Sequence, residues 1–461
     1  MNSIFAIALI SIRNAIRSKI VIVLLTALLL ALIGLPFTLQ GDGTMAGHVR
    51  VLLRYTLGLA TLILSIATVW ASCAAISTEI RDRQIQLIVS KPVRASQLWL
   101  GKWLGLMVMN IIFVLLCFVF TYAGLRWTTQ PDRWTEEEIV QLHDEILVAQ
   151  HKYVPRPRDV QAEVQRRYRA GRAREEWPRD MPTDRILPRL ERQAQTQANS
   201  VRPNERNRWV FDIPDDPPPD RPLVLQYQFS LSVMELETVP GTWIVGDPAG
   251  PDRQQTEIEA APRTRHTLSI SPERIGDDGT LTVEFVNQHE RAITVIFAPA
   301  EDLHLMVYAG GFAANYLRAA LLILFHLAFL AAIGVTAGAY FSIPVAALTS
   351  FYALLVINAA RFIGRVAERG LPAPHTHGPH EHSHSRLEHV IEFLTQYFYR
   401  GLHAVLRPLE GVNPLDYVAI GQWIPWSEVG QMFLIKVLLY SGLLLALGAW
   451  HIAHKEVALP S

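Results

Sequence analysis

The chain has 461 residues, half of them hydrophobic, yet 18% are charged, and 42 Lys+Arg against 42 Asp+Glu leave a formal net charge of zero. The apolar residues gather in runs near both ends, while about 126–305 is polar, charged and rich in proline, which argues against one uniform globule and for membrane segments around an inserted aqueous domain. The balanced charge gives no reason to expect a nucleic-acid partner, and Cys73 and Cys117 both sit in apolar runs, so a disulfide framework is not expected.

Residues 1–19 come first as an interfacial amphipathic helix. Ile4, Phe5, Ala8, Leu9, Ile12 and Ile16 recur at helical spacing, with Ser11, Arg13, Asn14 and Arg17 on the other side and Ile7 and Ile10 intruding among them. A plain extension of the first span is the alternative. Arg13, Arg17 and Lys19 precede an apolar run long enough to stay as an anchor, without the layout of a cleaved signal peptide.

A bilayer core needs about 20 apolar residues of helix. Six segments qualify: about 20–39, 53–78, 103–125, 312–337, 343–363 and 431–452. Gly338 and Pro344 in "AGAYFSIP" are expected to break the fourth from the fifth. The short-loop cations place both termini on the cytoplasmic side, although Arg50 and Arg54 fall in the one short outer loop. The expected fold is therefore an α-helical polytopic membrane protein, with six transmembrane helices, N-in and C-in, and an inserted extracytoplasmic α+β domain containing a β-sandwich.

The domain order is 20–125 with the first three spans, 126–208 as an outer helical region, 209–311 as the sandwich, 312–363 with spans four and five, 364–430 as an outer loop, and 431–461 with the last span and a cytoplasmic tail. "TEEEIVQLHDEIL" opens like a capped helix, Thr135 with Glu138 three residues on. "LVLQYQFSLSVMELE", "HTLSISP", "GTLTVEFVNQ" and "AITVIFA" alternate as strands, separated by turns such as "GDDG". A jelly roll is one arrangement such strands adopt.

In 364–430, "PAPHTHGPHEHSHSRLEH" carries His375, His377, His380, His382 and His384, spaced so that several imidazoles could converge on zinc, copper or nickel. A solvated low-complexity linker is the plainer reading. Leu387, Val390, Ile391, Leu394, Phe398, Leu402 and Val405 form the apolar face of an expected helix, and Trp423 and Trp426 read as interfacial anchors. Within the spans, Arg318 and Arg361 are expected to snorkel, and Asn110, His326 and Asn358 to hydrogen-bond between helices; Asn315 is also polar there.

Between spans two and three lies "TEIRDRQIQLIVSKPVRASQLWLGKW", basic and half apolar. It resembles the segment after the second span of type-2 ABC transporter permeases, where a Glu at the span end is followed by an apolar patch, a Pro-Val/Ile-basic turn and a Gly-Lys entering the next span. The matching positions are Glu79, Leu87, Pro92, Val93, Arg94, Gly101 and Lys102, and with order and topology the resemblance covers about 270 residues. It implies a cytoplasmic coupling helix over 80–97 that docks on a separate ABC ATP-binding subunit. Glu79 and Arg83 would stand at the base of span two, Leu87, Pro92 and Arg94 in the docking surface, and Lys102 would snorkel at the start of span three. ATP and magnesium would belong to the partner, since this chain has no G-x-x-x-x-G-K-[ST], and no H-E-x-x-H or G-x-S-x-G either, so no enzymatic site is expected in it.

The implied protein is a bacterial inner-membrane permease subunit, dimeric with itself or with a second permease, that exports a substrate the sequence does not identify. Ordinary members of that family have short outer loops after the third span, so the large insert is a departure. Two alternatives stay open: ATP-driven mechanical transmission to the insert without transport, and a non-ABC receptor or metal-handling membrane protein.

Overall fold

The computed structural model describes residues 3–39, 45–81, 94–129, 134–135, 138–139, 142–143, 146–174, 183–214, 217–233, 238–246, 253–289, 293–360, 363–364, 397–411 and 413–454. In chain order the principal helices are α1 Ser3–Arg17, α2 Lys19–Thr38, α3 Met45–Arg81, α4 Ala95–Thr128, α5 Gln161–Ala173, α6 Thr183–Ala198, α7 Phe312–Tyr340, α8 Ile343–Asn358, α9 Pro414–Ala419 and α10 Trp426–His454. The strands are β1 Val148–Tyr153, β2 Ser200–Val201, β3 Arg206–Asp212, β4 Leu223–Tyr227, β5 Ser230–Leu231, β6 Val239–Val245, β7 Gln254–Ala260, β8 His266–Ile270, β9 Thr280–Asn287, β10 Val295–Ile296 and β11 Leu303–Gly311. The chain divides into two compact units. One is Met1–Leu142 with Ala313–Ile420 and Ile424–Ser461; the other is His143–Phe312 with Gly421–Trp423.

In the first unit α2, α3, α4, α7 and α10 are each long and apolar enough to cross a membrane. Their burial ranks them. In the most apolar stretch of α7, 67% of residues are buried, against 17% in those of α2 and α10, so α7 is the central helix and the other two are peripheral. Ile111, Leu115 and Val119 recur every fourth residue on α4 and are exposed, as a stripe facing lipid or a second chain would be. The predicted fifth span is shorter than expected. Its helix, α8, has 16 residues, about 24 Å of rise against a hydrocarbon core of about 30 Å.

The break before α8 falls at Phe341–Ser342, with Pro344 near the start of α8. Gly338 is not part of it: it lies inside α7, where an added Cβ would stand 2.6 Å from the Cys73 carbonyl oxygen. Gly334, one turn earlier, makes room for the Ser72 side chain, so the two glycines let α7 and α3 approach closely. Both cysteines are free and buried, as expected of packing residues.

α3 starts at Met45, so the short loop assigned to Arg50 and Arg54 is helical. Arg54 pairs with Asp416 of α9 at 3.2 Å. Arg318 does not snorkel: it is 6% exposed, its Nη1 donates to the Ile424 carbonyl at 3.1 Å, and its guanidinium lies over the Trp426 ring. Asn315 Oδ1 accepts the Ile424 amide at 2.9 Å. Asn110 does bridge helices, its Oδ1 accepting from Thr68 Oγ1 at 2.9 Å, but Asn358 donates only to Leu354 of its own helix. Arg361 lies outside the described residues. In α10, Phe433–Tyr440 winds as a π-helix that includes Lys436.

In the second unit, two four-stranded antiparallel sheets, β1-β11-β4-β8 and β3-β9-β6-β7, turn their apolar faces onto one core. Trp243 fills its centre, 4.9 Å from Phe285 and 5.0 Å from Tyr227 between ring centroids. Gly241 is required beside it, because a Cβ there would lie 2.5 Å from Phe285 Cζ. "GDDG" forms the predicted turn, Gly279 at φ +72° and Asp278 Oδ1 accepting from the Thr280 amide. The region expected to be helical holds α5 and α6 but also β1 and β2. The Thr135–Glu138 capping contacts form, Glu138 Oε2 accepting from the Thr135 amide at 3.1 Å.

Trp423 is not an interfacial anchor. Its amide donates to the Gln150 carbonyl of β1 and its ring packs on Gly310. Of the helix expected around 387–405, only residues 397 onward are described. There Phe398 and Val405 are exposed, whereas Leu406 and Leu409 are buried.

Candidate functional site

The predicted coupling segment is held at both ends by helices longer than expected. α3 runs on through Ile80 and Arg81, and α4 begins at Ala95, so both ends of 80–97 belong to the spans. Arg94 caps α4: its amide donates to Gln97 Oε1 at 3.1 Å, and its exposed side chain stays at the start of the helix. Arg83, Leu87 and Pro92, with the rest of 82–93, lie outside the described residues, as do His375, His377, His380, His382 and His384. Among the described residues no group of three or more His, Cys, Asp or Glu could hold a metal ion.

Glu79 near the end of α3 and Lys102 in the second turn of α4 form an ion pair, Lys102 Nζ donating to Glu79 Oε1. Their side chains are 6% and 2% exposed. Contrary to the snorkelling expected of it, Lys102 turns inward to its counter-charge. A lone charge in a dry bundle costs several kcal/mol, so the pair holds the two span ends together even where its net contribution to stability is small. Glu79 Oε2 has no hydrogen-bond partner among the described residues.

α1 packs beside this pair by a route the hydrophobic periodicity did not indicate. Its buried stripe is Ile7, Ser11 and Ala15, while Phe5, Leu9 and Ile16 of the expected apolar face are exposed, Phe5 by 73%. Gly101 and Gly105 make room for it: a Cβ at Gly101 would lie 2.8 Å from Ile7 Cβ, and one at Gly105 only 2.5 Å from the Ala8 carbonyl oxygen. Ser11 Oγ satisfies itself on the Ile7 carbonyl at 2.9 Å, so the stripe presents no unpaired hydroxyl to α4. The exposed apolar face remains suited to a membrane interface.

Leu98 and Trp99 also face inward rather than lining a docking surface. Trp99 is 1% exposed and its Nε1 donates to Thr336 Oγ1 of α7 at 3.1 Å; that hydroxyl donates on to the Leu444 carbonyl of α10. Trp103 Nε1 donates to the Ala328 carbonyl of α7 at 2.8 Å. The start of α4 thus contacts α1, α3 and α7, and through Thr336 it is linked to α10. The signal for this in the sequence is the spacing of Gly101 and Gly105 and of Gly334 and Gly338, four residues apart in apolar helices.

No protein-family model matches the chain, and no curated protein matches it.

Proposed function

We propose that the chain is the membrane subunit of an ABC transporter, six-spanned with both ends cytoplasmic, in which a separate ATP-binding subunit moves the bundle through residues 80–97. The observation that carries the reading is the buried Glu79–Lys102 pair at the two ends of a basic, half-apolar segment. The pair ties the ends of α3 and α4 together at the root of that segment. A lever needs this, because force applied to it must act on two helices as one body.

ATP binding would draw the ATPase subunits together and push 80–97; α3 and α4 would tilt as a pair with α1, and the seam between two such subunits would open. The exported substrate belongs to the proposal only as a class not yet identified. Mechanical transmission to the inserted unit is the second reading, supported by that unit's own core of two packed sheets, a body large enough to be worked upon.

Affinity purification of the tagged full chain from detergent extracts tests the reading. A nucleotide-hydrolysing protein is expected in stoichiometric amount, and Leu87→Asp with Arg94→Glu is expected to release it while the chain stays monodisperse. Full retention of that protein by the double variant would sink the docking role.

A further inference from the structure

Residues 420–425 join α9 to α10, and they are bound on two sides. Gly421, at φ +67° just past the end of α9, takes the left-handed conformation that ends a helix and frees the chain to run along the edge of β1. There the Gln150 amide donates to the Gly421 carbonyl at 2.8 Å and the Trp423 amide to the Gln150 carbonyl at 2.8 Å, in parallel pairing. Gly421–Trp423 is accordingly part of the second unit, and the next residue is part of the first. The Ile424 amide donates to Asn315 Oδ1 of α7 at 2.9 Å, and the Ile424 carbonyl accepts from Arg318 Nη1 at 3.1 Å.

Successive amides are thus used by β1 and by α7, with one peptide bond between them. A joint that absorbs movement has residues to spare, whereas neighbouring Cα atoms are fixed about 3.8 Å apart. The other link has no slack either: β11, paired with β1, passes at Gly311–Phe312 straight into α7. Burial makes the bonds exclusive. Gln150 and Asn315 are each 1% exposed and Ile424 0%, so water does not replace a bond broken at either end, and the released group keeps its desolvation penalty.

We propose that residues 421–424 are a strap through which α7 and the edge of the sheet β1-β11-β4-β8 hold or release one another. Under the transmission reading above, the strap is where movement of the spans enters the inserted unit; that role rests on the reading, and the linkage itself does not.

Amide hydrogen exchange of the detergent-solubilised full chain, resolved to single residues by electron-transfer fragmentation, tests it. Asn315→Leu and Arg318→Met each remove one partner of Ile424, and each should speed exchange of the Gln150 amide about tenfold, the worth of one buried hydrogen bond. Trp423→Ala should in turn speed exchange of the Ile424 amide, because coupling is reciprocal. Asn358→Leu, which loses a bond inside α8 alone, should leave both amides at their wild-type rates.

A Gln150 amide that keeps its wild-type rate in an α7 variant with native circular dichroism, or an Ile424 amide that Trp423→Ala does not move, would overturn the strap. Vanadate trapping of MgATP on the co-purified ATPase tests the role in transmission separately. It should shift Gln150 exchange in the wild type and not in Asn315→Leu; no shift in the wild type, with the mutational linkage intact, would remove the transmission reading and leave the strap standing.

Discussion

Lys102→Met leaves the Glu79 carboxylate buried without its counter-charge, a defect that costs about 3–5 kcal/mol in the interiors of proteins. Glu79→Gln with Lys102→Met removes both charges and should restore most of that loss. Thermal unfolding of the detergent-solubilised chain separates the two: a large drop in midpoint for the single variant and a small one for the double are expected. On the proposed function, the double variant should still lose coupling to an ATPase subunit, since stability and the lever are different properties. Equal destabilisation by both variants would show that the pair is not the unit it is taken to be. Both residues stand out in the sequence, but as separate features, because they are 23 positions apart and only the crossing of α3 and α4 brings them together. Arg318 departs from the expected snorkelling for a related reason. Its distance along the helix permits snorkelling, but the Ile424 carbonyl and the Trp426 ring offered a nearer partner that periodicity could not reveal.

At the scale of elements, glycine spacing decides which helices meet. Gly105→Val would place its Cβ, 2.5 Å from the Ala8 carbonyl oxygen, where backbone cannot yield, so α1 must shift. Overpacking of this kind costs about 1–3 kcal/mol, and the thermal midpoint should fall with α1 becoming cleavable by added protease. Gly34→Val, where a Cβ meets nothing within 4 Å, is the matched control and should be silent. If α1 remains protected in Gly105→Val, its docking does not depend on this approach. The amphipathic character of α1 was legible in the sequence, and its exposed Phe5, Leu9 and Ile16 agree with it. The buried stripe was not, since Ser11 and Ala15 score as polar or small and their value lies in how closely α4 can come. Of the strands, β4, β8 and β9 announce themselves by alternation. β6 carries Pro240 and Gly241, and β7 is "QQTEIEA", a polar edge strand, so both lack the pattern by which strands are found.

Over the whole molecule, two units with separate cores predict separate responses. Trp243 is fully buried between the sheets, so Trp243→Ala should cost about 3–5 kcal/mol within the inserted unit. Two unfolding transitions are expected in a calorimetric scan, with only one shifted by this substitution; a common shift would mean that the units unfold together. The broad plan, apolar helices at both ends around an inserted sheet domain, was readable because composition changes sharply at the boundaries. Function was less so: the lever reading grew from one degenerate motif, and the structure adds the buried pair at its root. Its central claim is that a cytoplasmic ATPase grips residues 80–97. A photo-crosslinking amino acid at position 87 in living cells tests this most directly. A covalent adduct with a nucleotide-binding polypeptide, on a residue that no membrane-impermeant reagent reaches from outside, is the expected result; adducts only with lipid or with extracytoplasmic proteins would contradict it.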